Sequence, residues 1–303
     1  MAILPTSHFC GNLHMIKGSI VELVVPTEAN GAIKYESLEA LVDWHVVEGS
    51  AALLVGDIFD SALKLDAEER LELLRRVVWQ AERRIAVIAG ISADAFDTVV
   101  EYAGIAEEAA TDALLITPPA SIWATKDEAL RYLGAVAAEA RKQPLLVRGG
   151  AGLASATVVN ALAHIKGIGG FVETAPDLAR ARELLALPLP AEFALYAGGD
   201  AAAAPLVLEG FAGNVSTAAN LVPRMVRKVN EAALLRDRAA AETVQIRLQA
   251  LQQALPTEQL PGAIQWALIE MGRIAESTPP PALSQKIDYA NLRRALRVAG
   301  CAI

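Results

Sequence analysis

Charged residues stand at the ends of several short apolar runs. Asp57 and Asp60 follow SAALLVG, Arg148 lies in PLLVRGG, and Glu173 lies in IGGFVETA. Brought together, two or three of these carboxylates would hold a divalent cation through hard oxygen ligands. They would equally grip a polyol or an amine. Arg148 among them would have the opposite effect, neutralising the acids and leaving a buried ion pair. Ser216 and Thr217, in GNVSTAAN, add two hydroxyl donors to the candidate set. The run Gly149-Gly150-Ala151-Gly152 is either a tight turn or a place where a phosphate could approach backbone amides.

Other polar residues call for plainer roles. His8, Cys10 and His14 are spaced loosely in an N-terminal tail, which offers little of the rigidity that a metal site needs. No resident metal or other cofactor is expected. His45, beside Trp44, reads as a partly buried helix histidine, and His164 as a cation at a helix C-terminus. Asp200 follows GG and reads as the cap of the next helix. Glu107-Glu108 is a solvated helix face.

The chain that must position these residues has 303 residues, 53% of them hydrophobic and 20% charged. That excludes a disordered chain, which lacks the apolar residues to fill a core. Mean hydropathy is +0.34, yet no apolar run reaches the roughly 20 residues that span a bilayer. The net charge of −8 repels phosphate backbones, which argues against nucleic acid as a partner. Two cysteines, Cys10 and Cys301, imply no disulfide framework. The N-terminus lacks the basic and long apolar regions of a signal peptide, so the expected compartment is the cytoplasm.

Short runs that are apolar on both faces recur along the chain, as buried parallel strands do. They are Gly18–Pro26, Ser50–Gly56, Ile85–Ile91, Asp112–Pro118, Pro144–Gly150, Ile168–Ala175, Glu192–Gly198 and Gly213–Asn220. Amphipathic helical stretches separate them. In SLEALVDWHVVEG the residues Leu38, Leu41, Val42 and Val46 form one stripe, with Ser37 as the expected N-cap and Gly49 as the stop. Strand–helix alternation dictates parallel pairing, and the repeated units match an α/β fold, the (β/α)8 TIM barrel. From about Leu221 onward only helices are expected, the last set apart by Pro279–Pro281. The expected layout is a tail over 1–17, the barrel over 18–222, and the last barrel helix with a C-terminal helical extension over 223–303.

Several segments resemble the dihydrodipicolinate synthase / N-acetylneuraminate lyase family of Schiff-base aldolases. They are GSIVELVVPTEANGAI with SLEALVDWHVVEG, then IAVIAGI, LLITPP, GGFVETAPDL, YAGGDAAA, GNVSTAAN and AIQWAL, in the family's order. The resemblance runs from about Lys17 to Ala299. It implies a TIM barrel and a homo-oligomer, a tetramer or dimer, with a small molecule as partner; charge and hydropathy, as above, argue against nucleic acid and membrane.

The family's active-site motifs differ here. The lysine that attaches pyruvate, in a motif like G-I-K-E-A, falls at Val172. The G-T-T-G-E motif that binds the pyruvate carboxylate reads Gly56-Asp57-Ile58-Phe59-Asp60. The fifth-strand tyrosine falls at Arg148 and the fourth-strand tyrosine near Ala120. Glu173 stands where the family also carries a glutamate. Asp57 would repel a substrate carboxylate by roughly a few kcal/mol at intermediate dielectric, unless Arg148 pairs with it across the mouth.

A Schiff base needs an amine at the C-terminal end of the barrel strands. Of the chain's eight lysines, Lys17, Lys142 and Lys166 precede strands. Lys34, Lys228 and Lys286 belong to the first loop or the C-terminal helices. Only Lys64 and Lys126 lie in loops on the correct face, several residues past the strand. The expectation is a synthase-like barrel that does not run the pyruvate aldol reaction, with a remodelled or degenerate mouth. Two alternatives stand beside it: a non-catalytic homologue that senses a ligand or supports a partner, and a divergent lyase using a metal or a loop lysine.

Overall fold

A computed structural model describes residues 16–28, 30–57, 63–140, 142–150, 154–255, 260–275, 287–301 and 303. Eight parallel strands close into a barrel in chain order. They are β1 (Gly18–Glu22), β2 (Ala52–Val55), β3 (Ala86–Gly90), β4 (Ala113–Ile116), β5 (Leu145–Arg148), β6 (Ile168–Glu173), β7 (Ala194–Gly198) and β8 (Gly213–Ser216). The ring closes where β1 pairs with β8, Gly18 against Gly213 and Val21 against Ser216. All eight expected strands form, trimmed at their ends, and the expected (β/α)8 barrel is the fold.

Side chains alternate between two apolar clusters, as the period of two dictates. Ile20, Leu54, Ile88, Leu115, Leu146, Val172, Tyr196 and Val215 fill the lumen. Their neighbours Val21, Leu53, Val87, Leu114, Val147 and Phe171 face the helices. The lumen is therefore packed, and Tyr196 ties its phenol to the Ile16 carbonyl at 2.9 Å.

The barrel helices are α1 (Tyr35–Glu48), α2 (Ala67–Ala81), α3 (Phe96–Glu108), α4 (Lys126–Glu139), α5 (Ala156–Ala163), α6 (Leu178–Leu185), α7 (Ala203–Glu209) and α8 (Pro223–Leu234). Ser37 is not the cap of α1: the helix starts two residues before it, and its N-cap position is Lys34. The Lys34 amide donates to the Pro26 carbonyl, so the end of the first loop sets the start of α1. Gly49 stops α1 as expected, at φ 78°, where a side chain would be strained. In α2, Asp66 and Glu69 form a reciprocal capping box.

After α8 come α9 (Arg238–Ala254), α10 (Leu260–Glu270) and α11 (Tyr289–Val298), with no strand among the described residues. α9 packs on α8 and α11. Pro279–Pro281 lies outside the described residues. Among those residues no helix is long and apolar enough to cross a membrane.

Candidate functional site at the barrel mouth

Arg148 is the centre of the site. It ends β5 with the parity of Leu146, so its side chain enters the lumen. There its Nη1 lies 3.1 Å from Oε1 of Glu22 and 3.2 Å from Oδ2 of Asp57. The expected pairing of Arg148 with Asp57 across the mouth is present. Glu22 is the addition that sequence reading missed. Its signal was a single acid in the apolar run GSIVELVVP, at the same parity as Ile20.

Each of the two acids is held from behind. Asp57 follows β2, and its Oδ1 accepts a 2.6 Å bond from the Ser92 hydroxyl, which itself accepts from the Thr117 amide at 2.8 Å. The last residue of β3 must be Gly90, because a Cβ there would lie 2.4 Å from the Asp57 Cα. Arg70 of α2 donates to the Gly56 and Gly90 carbonyls at 2.9 and 3.1 Å, clamping the ends of β2 and β3. Glu22 is positioned by Asn220, which donates to the Glu22 carbonyl at 2.7 Å and accepts from the Val24 amide at 2.9 Å.

The cluster is largely buried: side-chain exposure is 10% for Arg148, 10% for Glu22 and 1% for Asp57. Two carboxylates share one guanidinium. Burial pushes the Glu22 carboxyl above its ordinary value, and the nearby Asp57 adds to the rise, while Arg148 opposes it. Burial by itself would lower the Arg148 value, but the two carboxylates outweigh it and hold the guanidinium charged. Nε and Nη2 of Arg148 are buried with no hydrogen-bond partner among the described residues.

The other candidates do not join this cluster. Glu173 has the opposite parity to the luminal Val172, and it accepts from Arg180 of α6 at 3.1 Å and from the Ala175 amide at 2.8 Å. Ser216 likewise faces away from the lumen, next to the luminal Val215, and donates to Asp200. Thr217 gives Asp200 its amide at 3.2 Å. Asp200 does not cap α7, whose N-cap position is Ala202. Its buried carboxylate instead accepts from the end of β8, including the Ala218 amide at 2.9 Å. Burial raises its pKa against those hydrogen bonds. The Asp200 carbonyl also accepts from Gln245 of α9 at 2.9 Å, so this network fastens β8 to the helical shell.

Asp60 lies outside the described residues, as do Ile58, Phe59, Ala151, Gly152, Lys286 and the His8–His14 cluster. Val172 is fully buried in the lumen, and its Cα is in register with that of Arg148. Lys64 and Lys126 are exposed, as is Ala120. Lys34 is bound to the Ala275 carbonyl at 3.1 Å. Among the described residues no three His, Cys, Asp or Glu groups could hold a metal ion. His45 is wholly rather than partly buried, with Nδ1 3.1 Å from the Ser50 hydroxyl. His164 does end α5, where its Nδ1 meets the Asn160 carbonyl at 2.8 Å.

Fold and site together define a (β/α)8 barrel with charged side chains at the C-terminal strand ends, where such barrels build their active sites. The chain belongs to the dihydrodipicolinate synthetase family, which it matches over residues 15–297. It is 38% identical over 293 residues to the 4-hydroxy-tetrahydrodipicolinate synthase of Methylococcus capsulatus, covering 94% of this chain and 99% of that one. Identity to the Pseudomonas aeruginosa protein of the same name is 35% over 292 residues, covering 94% and 99%. Among solved structures, it resembles the chloride-inhibited dihydrodipicolinate synthase of Acinetobacter baumannii in complex with pyruvate. The TM-score is 0.84 at 30% identity, covering 95% of this chain and 100% of that one.

Proposed function

We propose that this protein is a non-catalytic member of the synthase family with respect to pyruvate, one that senses a ligand or supports a partner. The carrying observation is the largely buried Glu22–Arg148–Asp57 cluster beside the buried, luminal Val172. A pyruvate carboxylate entering here would meet two acids whose one cation is already engaged. Valine stands at the family's lysine position, which takes away the amine that the resemblance would place there. A carboxylate excess in a low-dielectric lumen opposes an anionic substrate and does not bind it.

The second reading is the activity named for the relatives. The 38% identity to a 4-hydroxy-tetrahydrodipicolinate synthase over nearly the whole chain favours it. It requires an amine from outside the usual position, and Lys64 and Lys126 are the candidates on the mouth side. A metal-dependent lyase finds less support, because the Arg148 guanidinium takes the place between the two carboxylates that a cation would need. Asp60 and Thr217 remain candidate ligand contacts in either reading, as proposals.

The protein is proposed to work as a homo-oligomer in the cytoplasm. Large exposed apolar side chains, Trp79 at 70% and Ile246 at 65% among them, are consistent with covered faces. Sedimentation velocity tests the oligomer.

A thermal-shift series with pyruvate and other 2-oxo acids tests the main reading. A ligand present at 100 times its dissociation constant adds about 2.7 kcal/mol of stability, which moves the midpoint of a chain this size by several degrees. No shift is expected for pyruvate or for another short 2-oxo acid without a large apolar group, and a shift of that size with pyruvate, kept in the Lys228→Ala/Arg247→Ala variant, would contradict the proposal.

A further inference from the structure

A second concave site lies away from the barrel mouth, between α1 and α8 on one side and α9 and α11 on the other. It is a cavity of about 520 Å³, within the range of roughly 300–1,000 Å³ typical of small-molecule sites. Its apolar wall includes Trp44, Leu221, Met225, Val244 and Met271. Around that wall stand Arg224, Lys228, Arg247 and Arg273, against one carboxylate among the described residues, Glu48.

The charge balance is the notable feature. The chain as a whole carries −8, yet among the described residues this cavity gathers four cations and one acid. Arg224 takes up the acid through both Glu48 oxygens, at 2.7 and 3.1 Å. The Arg273 guanidinium lies 4.6 Å from the Trp44 ring centroid. Lys228 and Arg247 add two more exposed positive groups. Helix ends modify the sum without reversing it. The C-terminal residues of α1 and α11 each bring about half a negative charge, and the start of α8 brings about half a positive one. Pro223 occupies the first turn of that helix, and no side chain caps it. Cys301, also in the wall, is a neutral thiol, since burial pushes its pKa up to about 11.

We infer that this cavity binds a small organic anion, with a phosphate or carboxylate head among Lys228, Arg247 and Arg273 and an apolar body against Trp44 and Met271. Like charges crowded around one concave surface repel one another, and an anion relieves that repulsion. The site is independent of the barrel mouth.

Phenyl phosphate, benzoate and inorganic phosphate are the probes, titrated calorimetrically into the full chain at low salt. Phenyl phosphate is expected to bind at least tenfold more tightly than inorganic phosphate, and its affinity is expected to fall with added chloride. Comparison with benzoate tells a phosphate site from a carboxylate site. The exposed pair Lys228→Ala with Arg247→Ala is expected to weaken binding tenfold or more. Glu48→Gln is expected to strengthen it, an outcome that a purely structural role for these residues would not give. Arg131→Ala, at an exposed cation outside the cavity lining, is expected to leave it unchanged. Absence of binding by both aromatic anions, or equal binding by the Lys228/Arg247 variant, would overturn the inference.

Discussion

Arg148 and Glu22 are 126 residues apart in sequence, and their side chains meet at 3.1 Å inside the barrel. The contact spans the lumen from β5 to β1. With Asp57 on the same Nη1, it makes a largely buried electrostatic cluster at the barrel mouth.

Breaking that cluster on one side is expected to be expensive. Arg148→Met leaves two buried carboxylates without their cation, and the loss should be about 3–5 kcal/mol. Adding Glu22→Gln and Asp57→Asn removes both orphaned charges, so the triple variant should recover much of the loss. Urea unfolding of the three proteins measures this.

The position of Glu22 depends on Asn220. Asn220→Ala removes the acceptor of the Val24 amide and the donor to the Glu22 carbonyl. A buried backbone group left without its partner costs about 1–3 kcal/mol. The same unfolding experiment should register a loss of that size, although Asn220 touches neither Arg148 nor Asp57 through its side-chain hydrogen bonds.

Glu22 also gives stability a pH dependence. Its folded pKa lies above the ordinary 4.5, so the folded chain keeps a proton that the unfolded chain releases. The stability due to that proton is complete below about 4.5 and is lost as pH rises through the folded value. Wild type is therefore expected to lose stability relative to Glu22→Gln as pH rises above that point. Melting curves of both proteins across the acid-to-neutral range show it as a slope in the difference.

His45 produces the opposite dependence. Burial lowers its pKa from 6.5 to about 3, so the unfolded chain binds a proton that the folded chain refuses. Stability from the neutral imidazole is present above about 6.5 and is lost as pH falls toward about 3, at about 1.4 kcal/mol per unit over that interval. His45→Asn should flatten this acid limb, as read by unfolding midpoints at stepped pH.

The fold was legible because strand and helix periodicities differ and alternate regularly from Gly18 to Leu234. The ends of elements were less so. Ser37 is a sound cap by residue type, but the bond from Lys34 to Pro26 starts α1 earlier. Asp200 looked like a helix cap and is instead drawn to the amides after β8. Within the site, the Asp57–Arg148 pair was readable because both lie at strand ends. Glu173 and Ser216 stand outside the cluster because neighbouring strand residues face opposite ways. Val172 and Val215 hold the luminal positions, which sends Glu173 and Ser216 to the helical shell. The same alternation, counted from Ile20, marks Glu22 as luminal. No sequence pattern announced Asn220 or Ser92, whose roles depend on contacts made only when the barrel closes.

The central claim is that the mouth forms no Schiff base. It is tested most directly by incubating the protein with pyruvate, reducing with borohydride, and weighing the intact chain, with the Methylococcus capsulatus synthase as the comparison. The account predicts an unchanged mass and no modified lysine. A stable pyruvyl adduct mapping to a single lysine, Lys64 and Lys126 included, would contradict it.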